Sequence, residues 1–324
     1  MTSTQAPIGS GFGRTTTAKQ ALTGRDLTGL RAIVTGGYAG LGLETARILS
    51  RAGAHVIVPA RDMDKAKRAL AGLPAVELAA LDLADPASID AFTAEVVGSA
   101  QPLHILVNSA GIMAPPLTRD GRGYEIQFAT NHLGHFQLTA GLWPALRRAG
   151  GARVVSVSSA GHRLAPVDFD DPDFQRRPYD KWAGYGQSKT ANALFALALD
   201  RRGEAEGVRA FSLHPGSIVT DLARHLDAAD LRRVGAIDEA GNPRPREENG
   251  FKTVAEGAAT QVWCATSPQI DGMGGVYCED CDIAVAVGPD PANHGPGVRP
   301  WAMDPEAAER LWTLSEQRIG RPFR

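Results

Sequence analysis

Six short apolar runs, separated by longer stretches whose apolar residues recur at helical spacing, constrain this chain more than any other feature. They are Ala32-Ile33-Val34, His55–Val58, Val76–Leu81, Ile105-Leu106-Val107, Val154–Val157 and Ala210–Leu213, and Gly274–Cys278 supplies a candidate seventh. Each is almost continuously apolar, as a strand covered on both faces must be, whereas a strand with one wet face would alternate. Between the runs, Leu43–Arg51, Met63–Ala71, Pro86–Val97, Tyr124–Arg148, Tyr185–Gly203 and Val254–Thr266 read as helices. Strand and helix in alternation predict an α/β fold, a single Rossmann-type doubly wound parallel sheet of about seven strands flanked by helices.

No linker divides the series, so residues 27–324 read as one domain and residues 1–26, rich in Ser, Thr and Gly, as an arm laid on it. Two segments break the spacing. Residues 166–182 are polar, acidic and proline-bearing, and residues 224–252 form a charged insertion around Gly241-Asn242-Pro243-Arg244-Pro245. Both read as long loops of the kind that cover a substrate site, and the second reads equally as a disordered surface excursion.

Composition excludes several classes of function. With 34 Lys and Arg against 36 Asp and Glu, the chain has no global field for nucleic acid or an anionic membrane, and a small-molecule partner is expected. No apolar stretch reaches the ~20 residues a membrane-spanning helix needs, and the amino terminus lacks the regions of a secretory signal, so a cytoplasmic location is expected. Three cysteines are too few and too uneven for a disulfide framework. Cys278-Glu279-Asp280-Cys281 with Cys264 lacks a fourth ligand for structural zinc, and no metal is expected.

Directly after the first strand stands Thr35-Gly36-Gly37-Tyr38-Ala39-Gly40-Leu41-Gly42, leading into a helix. Glycines at 36, 40 and 42 let backbone amides approach a pyrophosphate where the helix dipole favours negative charge. The second strand ends in Pro59-Ala60-Arg61-Asp62, with Ala60 where an acidic ribose partner is expected and Arg61 beside it. A guanidinium there suits a 2′-phosphate, which favours NADP. NAD stays open because Asp62 either meets the ribose or caps the next helix. Asp82 after the third strand is a candidate acceptor from the adenine amino group, and Asn108-Ser109-Ala110-Gly111 ends the fourth strand with small residues that let a cofactor pass.

Tyr185-Gly186-Gln187-Ser188-Lys189 carries the chemistry. A spacing of four puts Tyr185 and Lys189 on one helical face. A phenol with an ordinary pKa near ~10 exchanges protons at neutral pH only if nearby positive charge stabilises its phenolate, and Lys189 is placed to supply that charge.

In their order, Thr35–Gly42, Asn108–Gly111, Ser158-Ser159, Tyr185 with Lys189, and Pro215-Gly216 resemble the short-chain dehydrogenase/reductase family over about Leu27 to Tyr277. The nearest branch is the retinol-dehydrogenase-like and WW-domain-oxidoreductase-like one, judged from Asn131–Phe136, Val157–His162, Tyr185–Lys189 and Ala191-Asn192. That branch is similar in its long loop between serine and tyrosine. The resemblance implies a Ser-Tyr-Lys centre. Ser159 would bind the substrate oxygen, Tyr185 would exchange its proton, Lys189 would hold the nicotinamide ribose, and Asn131 would anchor a water leading to Lys189. It also implies cofactor contacts from Gly36, Tyr38, Gly40, Leu41, Gly42, Arg61, Asp82, Leu83, Asn108, Ala110, Gly111, Tyr185, Lys189, Pro215, Gly216 and Thr220. Thr220 is the candidate for the carboxamide.

The expected activity is NADP(H)-dependent carbonyl reduction or alcohol oxidation of an apolar compound, with Met113, Trp182 and Leu222 as pocket walls and a dimer or tetramer as the assembly. Two other classes compete. A nucleotide-sugar epimerase or dehydratase uses the same fold and pair but carries a larger carboxy-terminal domain than this tail forms. A non-catalytic nucleotide-binding regulator would be marked by loss of Ser159, Tyr185 or Lys189. His132, His135 and His214 read as satisfied buried histidines, and His162 as one of these or as a pocket contact.

Overall fold

Each predicted strand forms in the computed structural model, which describes residues 3–244, 250–288 and 295–323. The strands are β1 (Arg31–Val34), β2 (His55–Ala60), β3 (Val76–Ala80), β4 (Ile105–Asn108), β5 (Ala152–Val157), β6 (Val208–His214) and β7 (Val276–Glu279), joined by β8 (Asp282–Ile283). They lie in the order β3-β2-β1-β4-β5-β6-β7-β8. All neighbours are parallel except β7 and β8, a short antiparallel hairpin that the apolar pattern does not announce. Asp280 and Cys281 make its turn with φ of 53° and 62°, so the Cys-Glu-Asp-Cys run is hairpin chemistry. Cys264, Cys278 and Cys281 are buried free thiols.

Strand alternation splits the core into two layers. Ala32, Val34, Val56, Val58, Val107, Val155 and Phe211 point to one face, covered by α1 (Ala18–Leu22), α2 (Gly40–Arg51), α3 (Met63–Leu70) and a helix at Ala259–Thr266. Ile33, Ile57, Leu106, Val154 and Ala210 point to the other, covered by α4 (Pro86–Gly98), α5 (Gly134–Arg148), α6 (Lys181–Gly203) and a helix at Pro305–Ile319. Chain order reverses at β1, whose neighbours are β2 and β4, so a crevice opens beyond the carboxyl ends of β1 and β4.

Two expected helices differ in ways that matter to that crevice. The Tyr124–Arg148 stretch is interrupted by a π-helical turn at Ala129–Leu133, between Ile126–Phe128 and α5. Helix α6 begins at Lys181, a turn earlier than expected, because the Asp180 carboxylate accepts from the amides of Trp182 and Ala183 (2.7 and 3.1 Å). Tyr185 therefore stands inside the helix instead of on its rim.

The arm is tied down. Gln5 donates to the carbonyls of Tyr277 and Ala284, and the Asp282 carboxylate accepts from the amides of Ile8, Gly9 and Ser10. Segment 166–182 folds back on the body. Asp171 accepts from the amides of Gln175, Arg176 and Arg177, Asp173 pairs with Arg318, and Gln187 of α6 donates to Pro172 O at 2.7 Å. In the 224–252 segment, residues 228–233 form helix α7, and residues 245–249 lie outside the described residues.

Candidate active site

The crevice is a cleft of about 660 Å³ running from the glycine-rich turn to Tyr185. At one end, α2 starts from Ala39, which has no side-chain acceptor to cap it, so the first-turn amides stay free for an anion. Glycine is required at three positions of the turn, Gly37 among them because a methyl group there would stand 2.9 Å from Val34 O. A methyl group on Gly42 would stand 2.4 Å from Gly36 O, and one on Gly36 (φ 68°) would stand 3.0 Å from Ala110 Cα. β1 and β4 thus approach as closely as backbone allows, and Thr35 fastens them: its hydroxyl accepts from the amides of Ser109 and Ala110 (2.9 and 3.0 Å). His135 Nδ1 lies 2.9 Å from Asn131 O and must donate to it, which leaves Nε2 to accept from Thr35 Oγ1 at 2.9 Å. Burial lowers the His135 pKa to about 4, in keeping with this neutral ring.

Past β2, Arg61 lines the cleft with its side chain 74% exposed, and among the described residues its only ion-pair contact is Asp82 at 4.0 Å. Asp62 caps α3 by accepting from Lys65 N at 2.9 Å, so the capping alternative is the one realised. Asp82 spends one oxygen on the amide of Ala84 at 2.9 Å. Across the cleft mouth, Lys65 Nζ meets Asp221 at 2.9 Å.

At the other end, Tyr185 and Lys189 are buried on one face of α6. Ser158 donates to Lys189 O at 2.7 Å and so faces the helix, whereas the Ser159 hydroxyl lies beside Gly161, on the Tyr185 side of the cleft. Ser159 is thus the serine turned toward the phenol. Burial pushes the Tyr185 pKa up to about 12, and the Ser159 hydrogen bond opposes it. The direction runs against the lowering expected from Lys189, because burial is the largest influence on the phenol. Lys189 Nζ donates to Val157 O at 2.9 Å and stands 5.7 Å from the phenol ring centroid. Burial brings the lysine itself down to about 8.

Asn131 lies beneath the cleft. Its amide closes on Ile112 in both directions (2.9 and 3.0 Å) and donates to Ser188 Oγ at 2.9 Å. It braces the Gly111–Ile112 backbone, beside which Lys189 Nζ also lies. Asn108 is likewise absent from the cleft wall; buried at the end of β4, it donates to Thr139 Oγ1 at 3.3 Å. The other expected cofactor residues, Gly36, Tyr38, Gly40, Leu41, Gly42, Arg61, Asp82, Leu83, Ala110, Gly111, Pro215, Gly216 and Thr220, all line it. Thr220 abuts Gly40 and caps the amide of Leu222 at 3.3 Å, which sets it near the glycine-rich turn.

Residues 31–231, which contain these segments, match the family described as short chain dehydrogenase. The chain belongs to that family. This dehydrogenase is 49% identical to a Streptomyces lividans protein named "Probable oxidoreductase" over 293 residues, 89% of this chain and 96% of that one. Its identity to Homo sapiens retinol dehydrogenase 12 is 34% over 304 residues, 92% of this chain and 89% of that one. These relatives bear out the resemblance to the retinol-dehydrogenase-like branch. Among solved structures, an uncharacterised Mycobacterium paratuberculosis protein aligns with a TM-score of 0.70 at 32% identity, covering 93% of this chain and 97% of that chain.

Sequence reasoning missed Thr35 and Lys65 in the cleft wall, and Lys252 packed behind Gly216. Thr35 was visible as the first residue of the turn, and Lys65 one helical turn after Arg61. Lys252 gave no signal: it is buried, pairs with Asp280 at 2.5 Å, and its amide donates to Ser217 O at 2.8 Å. Its aliphatic stem fills the space that a side chain on Gly216 (φ 98°) would need. Met113, Trp182 and Leu222 line the cleft, and Trp182 alone does so from segment 166–182. Among the described residues no helix is long and apolar enough to cross a membrane.

Proposed function

We propose that this dehydrogenase interconverts an apolar ketone or aldehyde and its alcohol with NADP(H), using Tyr185 to carry the proton. The observation that carries the reading is that Tyr185 and Ser159 flank Gly161 on the wall of one cleft, with Lys189 one turn on, and that this cleft is continuous with the uncapped glycine-rich helix start.

The residues fit the cofactor. Free amides at the start of α2 suit the pyrophosphate, and Gly36 and Gly42 leave room for backbone approach. Arg61 is free to meet a 2′-phosphate while Asp62 is occupied as a cap. When bound, the nicotinamide ring supplies or accepts the hydride. A phenol held near pKa 12 is protonated at neutral pH, which suits Tyr185 to give a proton to a carbonyl oxygen. Ser159 stands beside it to hold that oxygen. Lys189, with a pKa of about 8, is largely cationic at neutral pH and suited to the ribose hydroxyls. An apolar substrate is supported by Leu164 and Val219, which line the cleft yet remain 48% and 63% exposed.

The test is loss of reduced-nicotinamide absorbance with NADPH and with NADH against a panel of aldehydes, ketones, quinones and steroids. Faster consumption with NADPH and an apolar carbonyl is expected. No consumption with any member, or consumption from NADH alone, contradicts the proposal.

A further inference from the structure

Pairing of β5 with β6 ends at Val157–Leu213, so the sheet register no longer fixes the chain where Ser159 stands. Ser159 is extended (φ −169°, ψ 161°) and is followed by a short 3-10 turn, Ala160–Arg163. Its peptide N–H, on Ala160, donates to His214 Nδ1 at 3.0 Å, and two side chains behind the cleft hold its carbonyl. His162 is fully buried, with Nδ1 2.7 Å from Ser159 O and Nε2 accepting from Arg299 N at 3.2 Å. An accepting Nε2 leaves the ring proton on Nδ1, which therefore donates to the Ser159 carbonyl. Tyr277, also fully buried on β7, donates its hydroxyl to the same carbonyl at 3.2 Å, and its ring packs on His162 with centroids 5.0 Å apart. Trp301 Nε1 donates to His162 O at 3.0 Å and holds the histidine in turn. Neither His162 nor Tyr277 lines the cleft.

We propose that His162 and Tyr277 are positioning residues: their two side-chain hydrogen bonds to the Ser159 carbonyl, added to the turn's own bond from His162 N at 3.1 Å, fix this peptide so that Ser159 Oγ stays beside Tyr185. The inference rests on the function proposed for Ser159 and Tyr185. Because the Ser159 hydroxyl also accepts from Gly161 N at 3.0 Å, rotation of the peptide carries the hydroxyl with it. Gly161 in turn packs on the Tyr185 ring so closely that an added methyl would stand 2.6 Å from Cε1. A loosened carbonyl therefore moves two of the reacting side chains relative to each other. Burial keeps His162 neutral, with a pKa of about 4, so the donor arrangement holds across the neutral range.

The experiment is a mutant cycle in the full chain, read as kcat, KM and NADPH affinity on the best carbonyl of the panel. Tyr277→Phe and His162→Leu are expected to lower kcat about tenfold while KM and NADPH affinity change less than about twofold. His162→Asn, whose amide donor takes the place of Nδ1, should stay within about threefold of the parent although it fills the space less well than leucine. In a Ser159→Ala background, Tyr277→Phe should have no further effect. Full kcat in Tyr277→Phe, equal losses in both backgrounds, or His162→Leu outperforming His162→Asn overturns the inference. If Ser159→Ala is slow while Tyr277→Phe is not, the clasp alone fails; unimpaired turnover in Ser159→Ala removes the functional reading and the clasp together.

Discussion

Arg61 and Asp62 stand side by side at the end of β2 with opposite charges, and the local hydrogen bonds decide which one is free. Asp62 is committed to the amide of Lys65, and among the described residues Arg61 reaches no carboxylate closer than 4.0 Å. Arg61→Ala should weaken NADPH about tenfold, equivalent to about 1.4 kcal/mol, as for one charge-assisted contact to an exposed phosphate. NADH affinity should be nearly unchanged in titrations of intrinsic fluorescence, and equal losses for both cofactors would contradict the assignment. The sequence left this choice open because a cap and a ribose ligand call for the same residue type. At Tyr185 and Lys189 the spacing was legible and the energetics were not. A four-residue separation shows that two side chains share a face, but not that burial drives the phenol upward.

Among the elements, the glycine-rich turn was read almost completely, since strand, turn and helix follow one another in the chain. Gly42 stands where the helix passes over Gly36, at a distance no methyl group fits. Gly42→Ala should cost roughly 1–3 kcal/mol of stability, by overpacking, and weaken NADPH and NADH alike. A parent-like melting temperature with unchanged affinity for both would contradict this packing. The interruption of the Tyr124–Arg148 helix was not legible. No proline or glycine marks the π-helical turn, and Asn131 within it is bound to Ile112, nineteen residues away in sequence. Segment 166–182 looked like a lid because it is long, acidic and carries prolines. Its carboxylates are used inward, on the amides of residues 175–177 and on Arg318, and only Trp182 reaches the cleft.

Across the whole molecule, what periodicity can report was recovered: the parallel sheet, its two covering layers and the switch point that makes the cleft. What depends on the carboxy-terminal residues was not, because Tyr277, Arg299 and Trp301 meet Ser159 and His162, and Lys252 meets Gly216, from far along the chain. The most direct test of the account is Tyr185→Phe, assayed for NADPH binding and for carbonyl reduction in the same preparation. The account predicts NADPH binding within about twofold of the parent and a rate at least about a hundredfold lower, the scale of one general acid. Turnover close to the parent rate, with the cofactor bound, would contradict it.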